Sequence, residues 1–98
     1  MSCRIIIRPE AERDLAEAFA WYEEHRPGLG DEFLLCVEAC LASIQRHPAL
    51  NVAVRRGTRR ALLRRFPFGV FYQVREQTIS VLAVCHLSRD PRRWQDRL

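Results

Sequence analysis

Arg59-Arg60-Ala61-Leu62-Leu63-Arg64-Arg65-Phe66-Pro67-Phe68-Gly69-Val70-Phe71-Tyr72-Gln73-Val74 reads as two apolar strands joined by a Pro-Gly turn, with arginines along the first. A third run, Ile79 to Cys85, is apolar at nearly every position. Such a run predicts a central strand, covered by helices on one side. The three strands are placed at roughly 60–66, 69–76 and 78–86. The first hairpin turns through Pro67-Phe68-Gly69. The second turns near Glu76-Gln77, which is not a favoured type I′ pair.

Working back toward the N-terminus, Cys3-Arg4-Ile5-Ile6-Ile7-Arg8 is a β-branched run and predicts a first strand. Pro9 ends it and suits the first turn of a helix. Glu10, Glu12 and Asp14 crowd that turn, where negative charge favours the helix dipole. Helix one is expected to reach about His25. Its apolar stripe is Ala11, Leu15, Ala18, Phe19 and Tyr22, with Trp21 at the stripe's edge beside Asp14 and Glu17. Pro27-Gly28-Leu29-Gly30 is a stop and turn. Helix two is expected from Asp31, as N-cap, to about His47. Phe33, Val37, Cys40, Leu41 and Ile44 form its main stripe, and Leu35, Ala39 and Ala42 make a second apolar side. A helix apolar over so much of its circumference is expected between two layers.

Residues 49–58 show no clear period and read as a basic loop. Asp90-Pro91 is expected to cap a final short helix or tail, with Trp94 clamping it to the rest of the chain. The order β-α-α-β-β-β predicts an α+β fold: a helical hairpin packed on a mostly antiparallel four-stranded sheet. Residues 1–98 are expected to form one domain, long enough to bury a modest core without disulfides.

Composition narrows the function classes. Apolar residues make up 48% of the chain, so disorder is not expected. No basic segment followed by an apolar run opens the sequence, and the strands are too short to span a bilayer. A soluble cytoplasmic protein with no membrane partner is the expectation. Cys3, Cys36, Cys40 and Cys85 are then reduced thiols packed as small hydrophobes. Cys36 and Cys40 lie one helical turn apart. No CxxC or HxxxH partner joins them, and no metal site or other cofactor is expected. Four glycines leave no glycine-rich phosphate loop. Ser43, Ser80 and Ser88 lack a visible His–Asp arrangement.

Charge is divided unevenly. Residues 1–50 hold five arginines against nine acids, and residues 51–98 hold eleven against three. The halves are therefore −4 and +8, summing to the overall +4. Such asymmetry implies that one face meets an acidic partner. Every basic residue is arginine, whose planar fork binds phosphate or carboxylate in a way lysine does not. Arg59, Arg60, Arg64 and Arg65, with Arg55 and Arg56 nearby, have the composition of a contact surface for phosphate or carboxylates. A solvated face with no ligand is the plainer reading. His86 ends the central strand ahead of Arg89, Arg92 and Arg93. It reads either as a proton carrier for RNA cleavage or as a strand-end histidine bonded to nearby backbone. Tyr22 and Tyr72 are in phase with core positions.

Several phrases together resemble the RelE/ParE toxins of bacterial type II toxin–antitoxin pairs. They are Ile7-Arg8-Pro9-Glu10-Ala11-Glu12-Arg13-Asp14-Leu15, Arg64-Arg65-Phe66-Pro67-Phe68, Phe71-Tyr72-Gln73-Val74 and His86-Leu87-Ser88-Arg89-Asp90-Pro91-Arg92-Arg93-Trp94. The resemblance covers nearly the whole chain in the same element order. RelE-type members of the family cleave messenger RNA in the ribosome, using basic sheet residues and usually a Tyr or His near the C-terminus. ParE-type members, associated with plasmid stabilisation, are described as poisons of DNA gyrase and lack that catalytic set. This chain has no tyrosine after Tyr72, and its tail looks more ParE-like. The resemblance therefore implies a ParE-like, non-enzymatic inhibitor of DNA gyrase neutralised by a cognate ParD-like antitoxin. A RelE-type endoribonuclease acting with the ribosome on mRNA is the alternative, and a plain basic RNA-binding module is a third reading. On this view Arg59, Arg60, Arg64, Arg65, Arg89, Arg92 and Arg93 contact the target. Trp21, Leu35, Ala39 and Ala42 receive the antitoxin, and His86 is catalytic only in a nuclease.

Overall fold

A computed structural model describes residues 3–88 and 91–98. The order is β1 (Arg4–Ile7), α1 (Pro9–His25), α2 (Leu29–Arg46), β2 (Val52–Arg55), β3 (Thr58–Leu62), β4 (Phe68–Arg75), β5 (Thr78–His86) and α3 (Arg92–Gln95). The fold is α+β, as expected, but the sheet has five strands in the order β1-β5-β4-β3-β2. β1 runs parallel to β5, and the other pairings are antiparallel.

The fifth strand is β2, in the segment expected to be a basic loop. Val52, Ala53 and Val54 supply strand-forming side chains, and Arg55 pairs with Thr58 across a two-residue turn. Both turn residues, Arg56 (φ 48°) and Gly57 (φ 74°), take positive φ. Tight hairpins need that conformation, and arginine at its first position hides the signal. Glu76 (φ 58°) turns the β4–β5 hairpin at the expected place.

α1 keeps its expected bounds. Asp14, however, lies beyond the first turn, is 4% exposed, and does not serve the helix dipole at the surface. α2 begins two residues before Asp31. Its N-cap is Gly28 in the left-handed region (φ 89°), and the Glu23 carboxylate accepts the N–H groups of Gly28 (3.0 Å) and Gly30 (2.9 Å). A side chain at Gly30 would lie 2.7 Å from the Phe19 ring, so the helices cross closely there.

Both helices pack on one face of the sheet, where Ala11, Phe33, Val37, Ile44, Val70, Tyr72, Ile79 and Val81 form the main core. α2 is not enclosed between two layers. Its Leu35 side is open to solvent at 63% exposure, Ala39 is exposed and Ala42 half-buried. β5 is central, between β1 and β4. Its second face is covered by the tail: Trp94 stacks on Phe71 at 4.6 Å beside Ala83 and Cys85. The tail therefore clamps as expected, although Asp90 lies outside the described residues.

β3 ends at Leu62, earlier than expected. Residues 63–67 form a tight connection in which Leu63 N–H bonds the Phe68 carbonyl at 3.0 Å. Phe66 is its anchor, with ring centroids 4.9 Å from Tyr22 and 5.4 Å from Phe33. Anchoring Phe66 inward leaves Arg64 and Arg65 exposed, and Arg65 takes φ 69°.

Candidate functional site

The expected arginine surface is dispersed by this geometry. Arg59 pairs with Tyr72 and so lies on the helix side, where its Nη1 donates to the Asn51 carbonyl at 2.5 Å. Arg60 pairs with Phe71 on the opposite face. Its Nε is buried without a partner among the described residues. Arg64 and Arg65 belong to the 63–67 connection and to neither face. Arg92 is exposed at the start of α3, and Arg93 pairs with Glu17 at 3.2 Å. Arg89 lies outside the described residues.

A cleft of about 390 Å³ gathers part of this set between α2 and β3. Cys36, Ala39, Cys40 and Ser43 form its helical wall; Ala61 and Leu62 form its strand wall. Arg46, Arg64 and Arg65 stand at its margin. Arg46 and Arg64 make no ion pair among the described residues. Arg65 donates to Glu32 Oε1 at 2.8 Å, while Arg26 donates to Oε2 at 3.0 Å. Those bonds, Arg65's first, hold the Glu32 carboxyl below the usual carboxylate range. Burial pushes the Cys40 thiol up to about 11. It stays neutral and contributes apolar floor instead of a nucleophile. Leu35 (63% exposed) on α2 and Leu62 (56%) at the end of β3 leave apolar surface beside this cleft. A cleft of mixed lining, with apolar and thiol groups between the walls and arginines at its edge, suits an amphipathic acidic segment. Ala39 thus joins Arg64 and Arg65, whereas Trp21 does not line this cleft.

Tyr72 lies behind Asn51, which lines the cleft. Its hydroxyl donates to the Pro48 carbonyl at 2.8 Å and accepts from Asn51 Nδ2 at 3.0 Å. Burial raises its pKa above the usual phenol value. The group is a fully buried structural bond.

His86 faces the helix side, opposite Phe68, at 5.2 Å between ring centroids. Its Nδ1 accepts the Ser88 N–H at 3.1 Å and lies 2.8 Å from Ser88 Oγ. His86 and Trp21 line a second groove, of about 580 Å³, between α1 and the end of β5.

Below that groove is a network that sequence reasoning missed. Asp14 Oδ2 accepts the Val84 N–H at 3.0 Å and Arg97 Nη1 at 2.6 Å; Oδ1 accepts Arg97 Nη2 at 3.1 Å. Arg93 approaches Oδ1 at 3.6 Å. Arg97 also donates to the Leu82 carbonyl at 3.2 Å. One carboxylate therefore ties α1, β5 and the tail together. The signal was present: Asp14 falls three residues after Ala11 and four before Ala18, inside the buried stripe.

The sequence matches the family model for the ParE toxin of type II toxin–antitoxin systems (parDE) over residues 5–91. It is 30% identical over 92 residues to the toxin ParE2 of Mycobacterium tuberculosis, covering 93% of this chain and 88% of that relative. The fold matches the chromosomal ParDE system of P. aeruginosa with a TM-score of 0.79 at 16% identity, over 89% of this chain and 98% of that one. It also matches the toxin–antitoxin complex RelBE2 from M. tuberculosis with a TM-score of 0.62 at 23% identity, over 88% and 99%. The chain belongs to the ParE toxin family, within the RelE/ParE group, and is the toxin of a type II toxin–antitoxin pair.

Proposed function

We propose that a ParD-like antitoxin neutralises this toxin by laying an acidic, amphipathic segment in the cleft between α2 and β3. Ala39 supplies apolar contact in the cleft, Leu35 and Ala42 extend it over the adjoining surface of α2 outside the cleft lining, and Arg46, Arg64 and Arg65 set register. Trp21 is a second antitoxin anchor, on the opposite groove. The carrying observation is the cleft: a partly apolar lining beside two arginines that pair with no acid among the described residues. The two solved structures named above are toxin–antitoxin systems, which supports a protein partner.

The released toxin acts in the cytoplasm by binding DNA gyrase. Arg60, Arg64, Arg65, Arg92 and Arg93 are contact candidates, with Arg59 committed to Asn51. Support for binding over RNA cleavage comes from the groups a nuclease would need. Tyr72 is fully buried. His86 points to the helix side and engages Ser88, while Arg60 lies on the other face. His86 shares its groove with Arg93 and Glu17, but Arg93 is paired to Glu17 at 3.2 Å and the groove takes in none of Arg60, Arg64 and Arg65, so the acid–base groups stand apart from most of the arginine set. The test is a gyrase supercoiling assay with purified toxin, repeated with equimolar antitoxin. Inhibition relieved by antitoxin is expected; full supercoiling in the presence of free toxin refutes the proposal.

A further inference from the structure

β1 covers only the first part of β5. Their pairing stops at Ile7–Val81, but β5 continues to His86. Leu82 is an extra residue in the β4–β5 ladder, which passes from Tyr72–Val81 to Phe71–Ala83. Beyond this bulge, alternate residues direct their backbone groups to opposite neighbours. The Leu87 N–H bonds the Pro67 carbonyl at 2.8 Å, so the odd-numbered residues here face β4. Val84 and His86 therefore face the edge that β1 has left. The 3.0 Å bond from Val84 N–H to Asp14 agrees with that direction.

Two groups on this edge already have partners. Asp14 takes the Val84 N–H, and Arg97 donates to the Leu82 carbonyl. The Val84 carbonyl and the His86 N–H remain directed outward, and no backbone group of the described residues pairs with them. A carbonyl and an N–H two residues apart are what one residue of a parallel neighbour bonds. An antiparallel neighbour bonds both groups of each residue it pairs with, and at Val84 Asp14 already holds the N–H, so it could pair only at His86 and would leave the Val84 carbonyl unused. The open groove lies against this edge, with Ala18, Trp21, Phe68 and Val84 in its lining and Trp21 54% exposed.

We propose that an extended segment of the antitoxin adds to β5 here, as a short strand parallel to β5 that takes up the row where β1 ends. Its central residue bonds the Val84 carbonyl and the His86 N–H. Paired residues share a face, so its two flanking side chains point into the groove and are apolar. This rests on the antitoxin reading for the partner's identity, but it is separate from the α2–β3 cleft.

The experiment measures antitoxin affinity and amide hydrogen exchange on the full-length toxin. His86→Pro removes the outward N–H at an edge that tolerates proline; His86→Ala removes the ring and keeps the N–H. His86→Pro is expected to weaken antitoxin binding about tenfold more than His86→Ala, the scale of one backbone hydrogen bond. In the wild type, antitoxin should slow exchange of the His86 amide at least about tenfold. Equal affinities for the two variants, or an unprotected His86 amide in the complex, overturns the strand. If His86→Pro does not fold, the wild-type exchange measurement decides alone. A complex weakened by Leu35→Asp but indifferent at His86 refutes only the strand; absence of any complex refutes both readings.

Discussion

Replacing Asp14 with alanine tests the network that fastens the tail. The carboxylate is 4% exposed and accepts one backbone N–H and two guanidinium N–H groups. Removing it leaves the Val84 N–H unsatisfied beside α1 and the Arg97 guanidinium, 19% exposed, without its acid. Breaking a buried pair from one side costs about 3–5 kcal/mol. Arg97 lies in the tail and can turn outward, which places the expected loss near ~3 kcal/mol. That is a large share of the ~5–15 kcal/mol typical of a folded protein, and corresponds to a Tm lowered by roughly 10–25 °C. Arg97→Ala should cost less, because Asp14 then retains Val84 N–H and can draw in Arg93, 3.6 Å away. Urea unfolding of the two single variants and the double variant gives the coupling directly, expected at or above about 1.5 kcal/mol. A loss below about 1 kcal/mol for Asp14→Ala, or a coupling near zero, refutes the claim that this carboxylate joins helix, strand and tail.

Other outcomes follow from the cleft and its margin. Leu35→Asp should weaken the antitoxin complex by about 2 kcal/mol or more, near thirtyfold, in a calorimetric titration; unchanged affinity with an intact fold removes α2 from the interface. Reversing Arg46 and Arg64 together to Glu should lower the antitoxin association rate and flatten its salt dependence, with a near-normal circular dichroism spectrum; unaltered kinetics would assign them to a solvated surface. Cys40 should resist alkylation at pH 8 in the native state, since burial holds its thiol near 11. That raised value makes folding favour the protonated thiol, so its contribution to stability falls as pH rises from about 9 toward 11; rapid labelling at pH 8 without unfolding contradicts the burial. Glu32 should titrate below 4.5 in an NMR pH series, with its stabilising share full above that pH and lost as pH falls through the lower folded value; Arg65→Ala should move it back upward.

Much of this architecture was legible because hydrophobic period is a strong signal. Ile79 to Cys85 identified the central strand, and Ala11, Ala18 and Tyr22 identified the buried side of α1. β2 escaped because three apolar residues carry little period and Arg56 occupies a positive-φ turn position that composition assigns to Asn or Gly. That the arginines do not share one strand face has a related cause. Arg64 and Arg65 continue an apolar run in sequence, yet the chain leaves the sheet at Leu62 to pack Phe66 against Tyr22 and Phe33. Long-range contacts of this kind have no local signature. Arg97 is the clearest case: nothing near it in sequence identifies Asp14 as its partner. The exposed face of α2 was visible as apolar residues off the main stripe. That it stays open, instead of being covered by a further layer, is settled only by the fold.

This toxin is proposed to act by binding its target and not by cutting RNA. The most direct test is ribosome-dependent mRNA cleavage by wild type and His86→Ala, read by primer extension beside a gyrase supercoiling assay. Intact mRNA is expected with both proteins, and supercoiling inhibited by both to a similar degree. Cleavage by the wild type that falls on the order of a hundredfold in His86→Ala would contradict the proposal and make His86 a catalytic residue.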